Sequence, residues 1–211
     1  VVFNAGGSYL LAQAMHSEIK KVTNKPVKYV VLENAQGHAI LGSSYWKENG
    51  AKIIAHELTP AIINKTKDRI MERGHRVLKD KFFNTRIIMP DETFKDRLKL
   101  DIKGRNIVLN HFGHAHSPDD IQLILPEENF IISGDFAFNE RMLPILNHTD
   151  IKTWLKNWEK LEKLNPEIII PGHGDVTDLK TVRSYTKDYL NYMLTTITNL
   201  IDDGGMLMDA Y

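Results

Sequence analysis

Nine histidines are spread over a chain of 211 residues that has no cysteine. Their placement is uneven. His111, His114 and His116 fall within six residues, at the end of a β-rich apolar run. His173 sits between two glycines in Pro171-Gly172-His173-Gly174, directly after Ile168-Ile169-Ile170. Asp135 closes Ser133-Gly134-Asp135, after another apolar run. Imidazoles with a carboxylate are the ligand set of a zinc-type or iron-type metal. Loops at strand ends are where such groups gather, because a rigid sheet holds them while the side chains stay free. Taken singly, each of these residues reads equally well as a solvated or hydrogen-bonded loop side chain. The absence of thiols excludes disulfides, thiolate ligands and a cysteine nucleophile. Such a chain is compatible with a periplasmic or a cytoplasmic setting.

The elements that would position these residues alternate and then change character. Val1 to Phe3 reads as a strand end, and Asn4 to Ser8 as a turn with Ser8 as helix cap. Leu10, Leu11, Ala14, Met15, Ile19 and Val22 recur at helical spacing until Lys25-Pro26. Val27–Leu32 and Ala51–Ala55 are expected strands, with a short helix over Ser43–Asn49 between them and a longer one over Thr59–Arg73 after them. Thr85–Met89, Arg97–Ile102 and Asn106–His111 are expected strands, the last two joined at Lys103-Gly104. Ile121–Leu125 and Phe130–Ile132 read as a hairpin around Pro126 to Asn129. A helix over Ile151–Leu164 puts Trp154 and Trp158 on its core face. Glu167–Ile170 reads as a strand, and a last helix carries Val182, Tyr185, Tyr189, Met193, Ile197 and Leu200. No low-complexity linker interrupts this order, so one domain over 1–211 is expected, of mixed α and β layers.

Charge removes other classes of function. Twenty-seven basic residues balance 27 acidic ones. That gives no general grip on nucleic acid or an anionic membrane. No apolar run approaches the roughly 20 residues of a membrane span. A small-molecule substrate is the expected partner, and the sequence carries no sign of oligomeric state.

Taken together, His111-Phe112-Gly113-His114-Ala115-His116-Ser117-Pro118-Asp119-Asp120, then Leu125-Pro126-Glu127-Glu128, Ser133-Gly134-Asp135 and Pro171-Gly172-His173-Gly174 resemble the metallo-β-lactamase-fold hydrolases in order, spacing and strand-end context. The Gly6-Gly7-Ser8 turn and the helix after it fit as well. The resemblance implies an αββα sandwich with a metal site at one edge of the sheets, the first strands of that fold lying before Val1. It implies that His116, Asp135 and His173 are metal ligands, with the Asp able to bridge two metals.

The chain departs from the family in one motif. A His-x-His-x-Asp-His run is expected after the strand over Val27–Leu32. Here the chain reads Asn34-Ala35-Gln36-Gly37-His38-Ala39. Two imidazoles have become amides, the Asp has become His38, and the last His has become Ala39. Neutral amides are poor zinc ligands, so the first metal site is expected to be weak or absent. The second site keeps Asp135 and His173 and gains His38, with His116 beside them. The implied cofactor is one zinc ion, or iron or manganese, at low occupancy if the reduced donor set binds weakly.

Two functions follow from these residues. One is a mononuclear metal-dependent hydrolase, not a dedicated β-lactamase, in which hydroxide attacks an ester, amide or thioester type bond. Asp135 and His38 are its catalytic candidates, His38 either as ligand or as general base. The other is a catalytically impaired relative that serves as a binding or interaction module. A nuclease is disfavoured by the lack of a basic stripe near His116 or His173. Of the other residues, His56 is expected to be structural and His16 and His75 to lie on the surface. His114 is expected either to bond near the site or to stand apart. Arg141 is expected in an ordinary salt bridge, the alternative being contact with an anionic substrate.

Overall fold

The computed structural model describes residues 1–210. It divides into two compact units, Val1–Leu98 and the remainder from Lys99.

The first unit holds a four-stranded, all-parallel sheet in the order β1-β2-β3-β4. Its elements are β1 (Val2–Phe3), α1 (Tyr9–Val22), β2 (Tyr29–Val31), α2 (Gly37–Ile40), α3 (Ser43–Glu48), β3 (Lys52–His56), α4 (Thr59–Leu78) and β4 (Glu92–Phe94). Ser8 caps α1 as expected, its Oγ accepting from the Leu11 N–H at 3.1 Å. Val30 to Leu32 and Ile53 to Ala55 are wholly buried. These are the near-continuous apolar runs that parallel strands show. Trp46 of α3 fills the core beside Ile40 and Ala12, and its indole N–H reaches the Ala5 carbonyl at 2.9 Å. Gly42 permits this closeness: a Cβ there would fall 2.0 Å from the Ala5 oxygen.

Two expectations fail in this unit. Thr85–Met89 forms no strand. Its backbone is taken by side chains instead: the N–H groups of Arg86 and Ile88 donate to the hydroxyls of Ser44 and Ser43. The fourth strand forms later, at Glu92–Phe94, where it pairs with β3. His16 is buried, not on the surface, with Nδ1 2.9 Å from the Tyr45 hydroxyl and its ring against Trp46. The helical face that carries it turns inward because Ala12, one turn earlier, faces the same core. His75 is exposed and lies edge-on to Phe82.

The second unit holds a five-stranded sheet in the order β5-β6-β7-β8-β9. Here β5 is Arg97–Ile102, β6 Arg105–Asn110, β7 Gln122–Leu125, β8 Phe130–Phe138 and β9 Ile168–His173. Lys103 and Gly104 both have positive φ, 55° and 83°. That is the two-residue turn whose twist suits a hairpin. The Pro126 to Glu128 turn ends on Asn129 in the left-handed region and returns β8 antiparallel to β7. Helix α5 (Ile151–Leu164), capped by Asp150 through the Thr153 N–H, then crosses over so that β9 pairs parallel with β8. Trp154, Trp158 and Leu161 of α5 are fully buried against Phe136, Phe138 and Ile169. The chain ends in α6 (Leu179–Val182), a π turn over Arg183–Asp188, and α7 (Tyr189–Asp202). In the π turn, Thr186 Oγ1 accepts from the Phe138 N–H and donates to the Phe138 carbonyl, closing the end of β8.

Candidate metal centre

Three of the four expected ligands come together in the second unit. His116 lies in the loop between β6 and β7. That loop is irregular but tightly strung. The Asp120 carboxylate accepts from the Ser117 N–H at 2.6 Å, Gln122 Oε1 from the Phe112 N–H, and the Thr149 hydroxyl donates to the His116 carbonyl. Asn157 of α5 donates to the His114 carbonyl. Helix α5 and β7 thereby hold the loop, and His116 is only 1% exposed. Its ring packs near Phe138 and Trp154, with centroids 5.9 and 6.0 Å away.

Asp135 is 4% exposed and sits within β8, where the parallel ladder to β9 is irregular on both sides of Gly134. Such a bulge re-aims a side chain. His173 is the last residue of β9, so Pro171 and Gly172 belong to the strand, not to the loop expected for them. Gly172 leaves the room the carboxylate needs: a Cβ there would fall 2.3 Å from Asp135 Oδ1.

Asp135 presents one oxygen to each imidazole. Oδ2 is 3.7 Å from His116 Nδ1 and Oδ1 is 3.6 Å from His173 Nε2. Both distances exceed a hydrogen bond. They are close to the separation of about 3.4 Å between two ligand atoms on one tetrahedral zinc-type ion. Two imidazoles and a carboxylate, mostly buried, are also the right donors for such an ion. On this geometry and chemistry the residues fit a metal.

His148, which the sequence does not single out, and Arg141 complete the surroundings. The Ser117 hydroxyl lies 3.3 Å from His148 Nε2 and 3.5 Å from His116 Nδ1. His148 stands in a coil, Asn147-His148-Thr149, without periodicity to mark it. Arg141 does not make the salt bridge expected of it; among the described residues its recorded partner is His173. One guanidinium nitrogen lies 2.9 Å from His173 Nδ1 and 3.2 Å from Nε2. His173 is otherwise stacked on Phe138. His114 bonds the His148 carbonyl, so it braces the site rather than standing apart.

The fourth expected residue, His38, belongs to the first unit, on α2. Its Nε2 is 3.6 Å from Oε2 of Glu33, a buried carboxylate that the sequence reading passed over. Asn34 is buried too, and its Oδ1 accepts from the Gln36 N–H at 3.0 Å. The Asn34 amide thus serves as a turn-former. His56 is buried edge-on to Phe94, consistent with a structural role.

Residues 47–173 match the family model of the metallo-beta-lactamase superfamily, which is more than half of the chain. The chain belongs to the metallo-beta-lactamase superfamily. The match spans His116, Asp135 and His173. Among curated proteins, this superfamily member is 24% identical over 159 residues to a metallo-beta-lactamase type 2 of Bacteroides fragilis, covering 74% of this chain and 56% of that protein. It is 22% identical over 231 residues to a linear primary-alkylsulfatase of a Pseudomonas species, covering 92% of this chain and 43% of that protein. The chain therefore spans about half the length of these curated relatives. Among solved structures, a metallo-beta-lactamase from Pontibacter korlensis superposes with a TM-score of 0.74 at 19% identity, over 89% of this chain and 80% of that one. The fold expected from the sequence, the αββα class of this superfamily, is the fold of the chain.

Proposed function

We propose that the chain is a metal-dependent hydrolase that works with one zinc-type ion, held by His116, Asp135 and His173. The observation that carries this reading is the Asp135 carboxylate, whose two oxygens face two imidazoles at 3.6 and 3.7 Å. When bound, such an ion supplies Lewis acidity and brings the pKa of water it holds down to about 7. The chain's own residues do the rest. In this reading Asp135, accommodated by the β8 irregularity and Gly172, orients water and takes its proton. Burial of His116 and Asp135 excludes bulk solvent, which strengthens every electrostatic contact there. In this reading His38, exposed on α2, is a ligand or general base, and His38→Ala tests it. The scissile bond is an ester, amide or thioester type, and the alkylsulfatase relative extends the class to sulfate esters. A β-lactam is not the dedicated substrate.

One observation favours a second reading, an impaired relative that binds rather than cleaves. The Arg141 guanidinium lies 2.9 Å from His173 Nδ1 and so sets a positive charge beside the ring that a cation would need. Two measurements separate the readings: metal content of the dialysed protein, and turnover of a panel of carboxylic ester, thioester, amide and sulfate ester substrates with and without added zinc. Zinc-dependent turnover supports the hydrolase. A chain that takes up no zinc, iron or manganese overturns it.

A further inference from the structure

Within the second unit, the segment from Leu146 to Trp154 is tied to the surroundings of both His116 and Asp135. Its first turn closes on itself: the Thr149 N–H donates to the Leu146 carbonyl at 2.9 Å, and the Leu146 N–H donates to the Thr149 hydroxyl at 3.0 Å. With its oxygen so engaged, the hydroxyl has its one proton for the His116 carbonyl, 3.0 Å away. The Asp150 N–H adds a bond to the Ala115 carbonyl at 3.2 Å. One turn into α5, the Trp154 indole N–H donates to the Phe136 carbonyl at 3.0 Å. Phe136 follows Asp135 on β8. Trp154 and Phe136 are both wholly buried, so this bond has no competition from bulk water.

Along the chain, the route from His116 to Asp135 runs through an irregular loop, β7, a turn and much of β8. Small displacements along such a route accumulate. The bonded route is shorter: from the His116 carbonyl to Thr149, along the first turn of α5 to Trp154, and on to the carbonyl next to Asp135. Asp150 stiffens the middle of it, accepting from the Thr153 N–H at 2.9 Å and from the Thr153 hydroxyl at 2.7 Å. A ligand held from outside its own loop has less freedom to lose when it takes an ion, which is why such outer partners govern metal affinity. We infer that Thr149 is a positioning residue for the metal centre: with Trp154 it holds His116 against Asp135, at the 3.7 Å that separates His116 Nδ1 from Asp135 Oδ2. The inference rests on the single-ion reading above and concerns how well the ion is held, not which residues hold it.

The test uses the full chain, zinc and cobalt(II) as probes, and readouts other than turnover. Thr149→Val keeps the shape of the side chain and removes both bonds of its hydroxyl. Its zinc affinity, measured by competition with a chelator, should fall by about 10-fold. Its cobalt(II) absorption spectrum should shift, because the His116 ring is no longer held in one orientation. Thr149→Ser returns the hydroxyl and should recover affinity and spectrum together. Leu190→Ala separates this from mere loss of stability. It removes a buried side chain of the same core from α7, so it should lower the Tm of the metal-free chain and leave the cobalt spectrum native. Native affinity and spectrum in Thr149→Val, with zinc lost in His116→Ala, would overturn the inference and leave the hydrolase reading standing. A spectral shift in Leu190→Ala as large as that in Thr149→Val would overturn it as well. A native chain that takes up no zinc, iron or manganese removes both. If Thr149→Val does not fold, Thr149→Ala takes its place, with the same loss expected and the same native result overturning the inference.

Discussion

Gly172 and Asp135 are in contact across adjacent parallel strands, such that a methyl group on Gly172 would lie 2.3 Å from Oδ1 and 2.7 Å from the backbone nitrogen of Asp135. The second distance involves main chain, so rotation of the carboxylate alone cannot relieve it. Gly172→Ala should destabilise the chain by about 1–3 kcal/mol, the usual cost of overpacking. It should also lower zinc content in the fraction that folds. Urea unfolding and metal analysis of the same preparation check both, and native stability with native zinc content would refute the argument.

Metal stoichiometry follows from the altered loop. The native chain should hold one ion or none, never two, because Asn34 and Gln36 offer only neutral amides. His38→Ala should lower the occupancy of that single site. Asn34→His with Gln36→His should raise the content towards two per chain. The cost is the turn now made by Asn34 Oδ1 to the Gln36 N–H, so the double variant should also be less stable. Two ions in the native protein would show that the ligands have been misassigned.

Penicillins and carbapenems should be turned over no faster than background. The relative from Bacteroides fragilis bears the lactamase name, but Asn34 and Gln36 stand where the sequence resemblance expects a histidine pair. Efficient hydrolysis of either drug class by the native chain would contradict this.

Asp150 offers a pH test that is independent of metal. The Thr153 N–H and hydroxyl bond its carboxylate and hold its pKa below the ordinary value. A depressed carboxylate stabilises the fold above the unfolded pKa of about 3.9, and that contribution is lost as the pH falls through the folded value. Asp150→Ala should therefore cost about 1 kcal/mol near neutrality, the usual value of a helix N-cap. The gap between native and variant should close in acid. Chemical unfolding at pH 7 and in a series below about pH 4 measures it.

The sequence disclosed what depends on local pattern. Ser8 and Asp150 announce α1 and α5, Lys103-Gly104 announces its hairpin, and Trp154 and Trp158 lie where helical spacing puts them. It misled where backbone groups are satisfied by distant side chains. Thr85–Met89 has strand composition, yet its N–H groups belong to Ser43 and Ser44. At the centre, the convergence of His116, Asp135 and His173 was legible through family resemblance, since 57 positions separate the first from the last. Glu33 and His148 were not, and the partner of Arg141 was not. No periodicity or spacing distinguishes a carboxylate destined for burial beside Asn4 from one destined for solvent. Nor does it show that a guanidinium will settle on an imidazole.

The parallel pairing of β8 with β9 sets the order in which the second unit can acquire its chemistry. Hairpins β5–β6 and β7–β8 close over short turns, whereas Asp135 and His173 meet only after the intervening α5 crossover has folded back. Loop closure over that distance is slow compared with hairpin formation. Competence to chelate should thus arrive late in refolding, after secondary structure has formed. An ion added to the refolding chain would report on the completion of the sheet and would not serve as its seed.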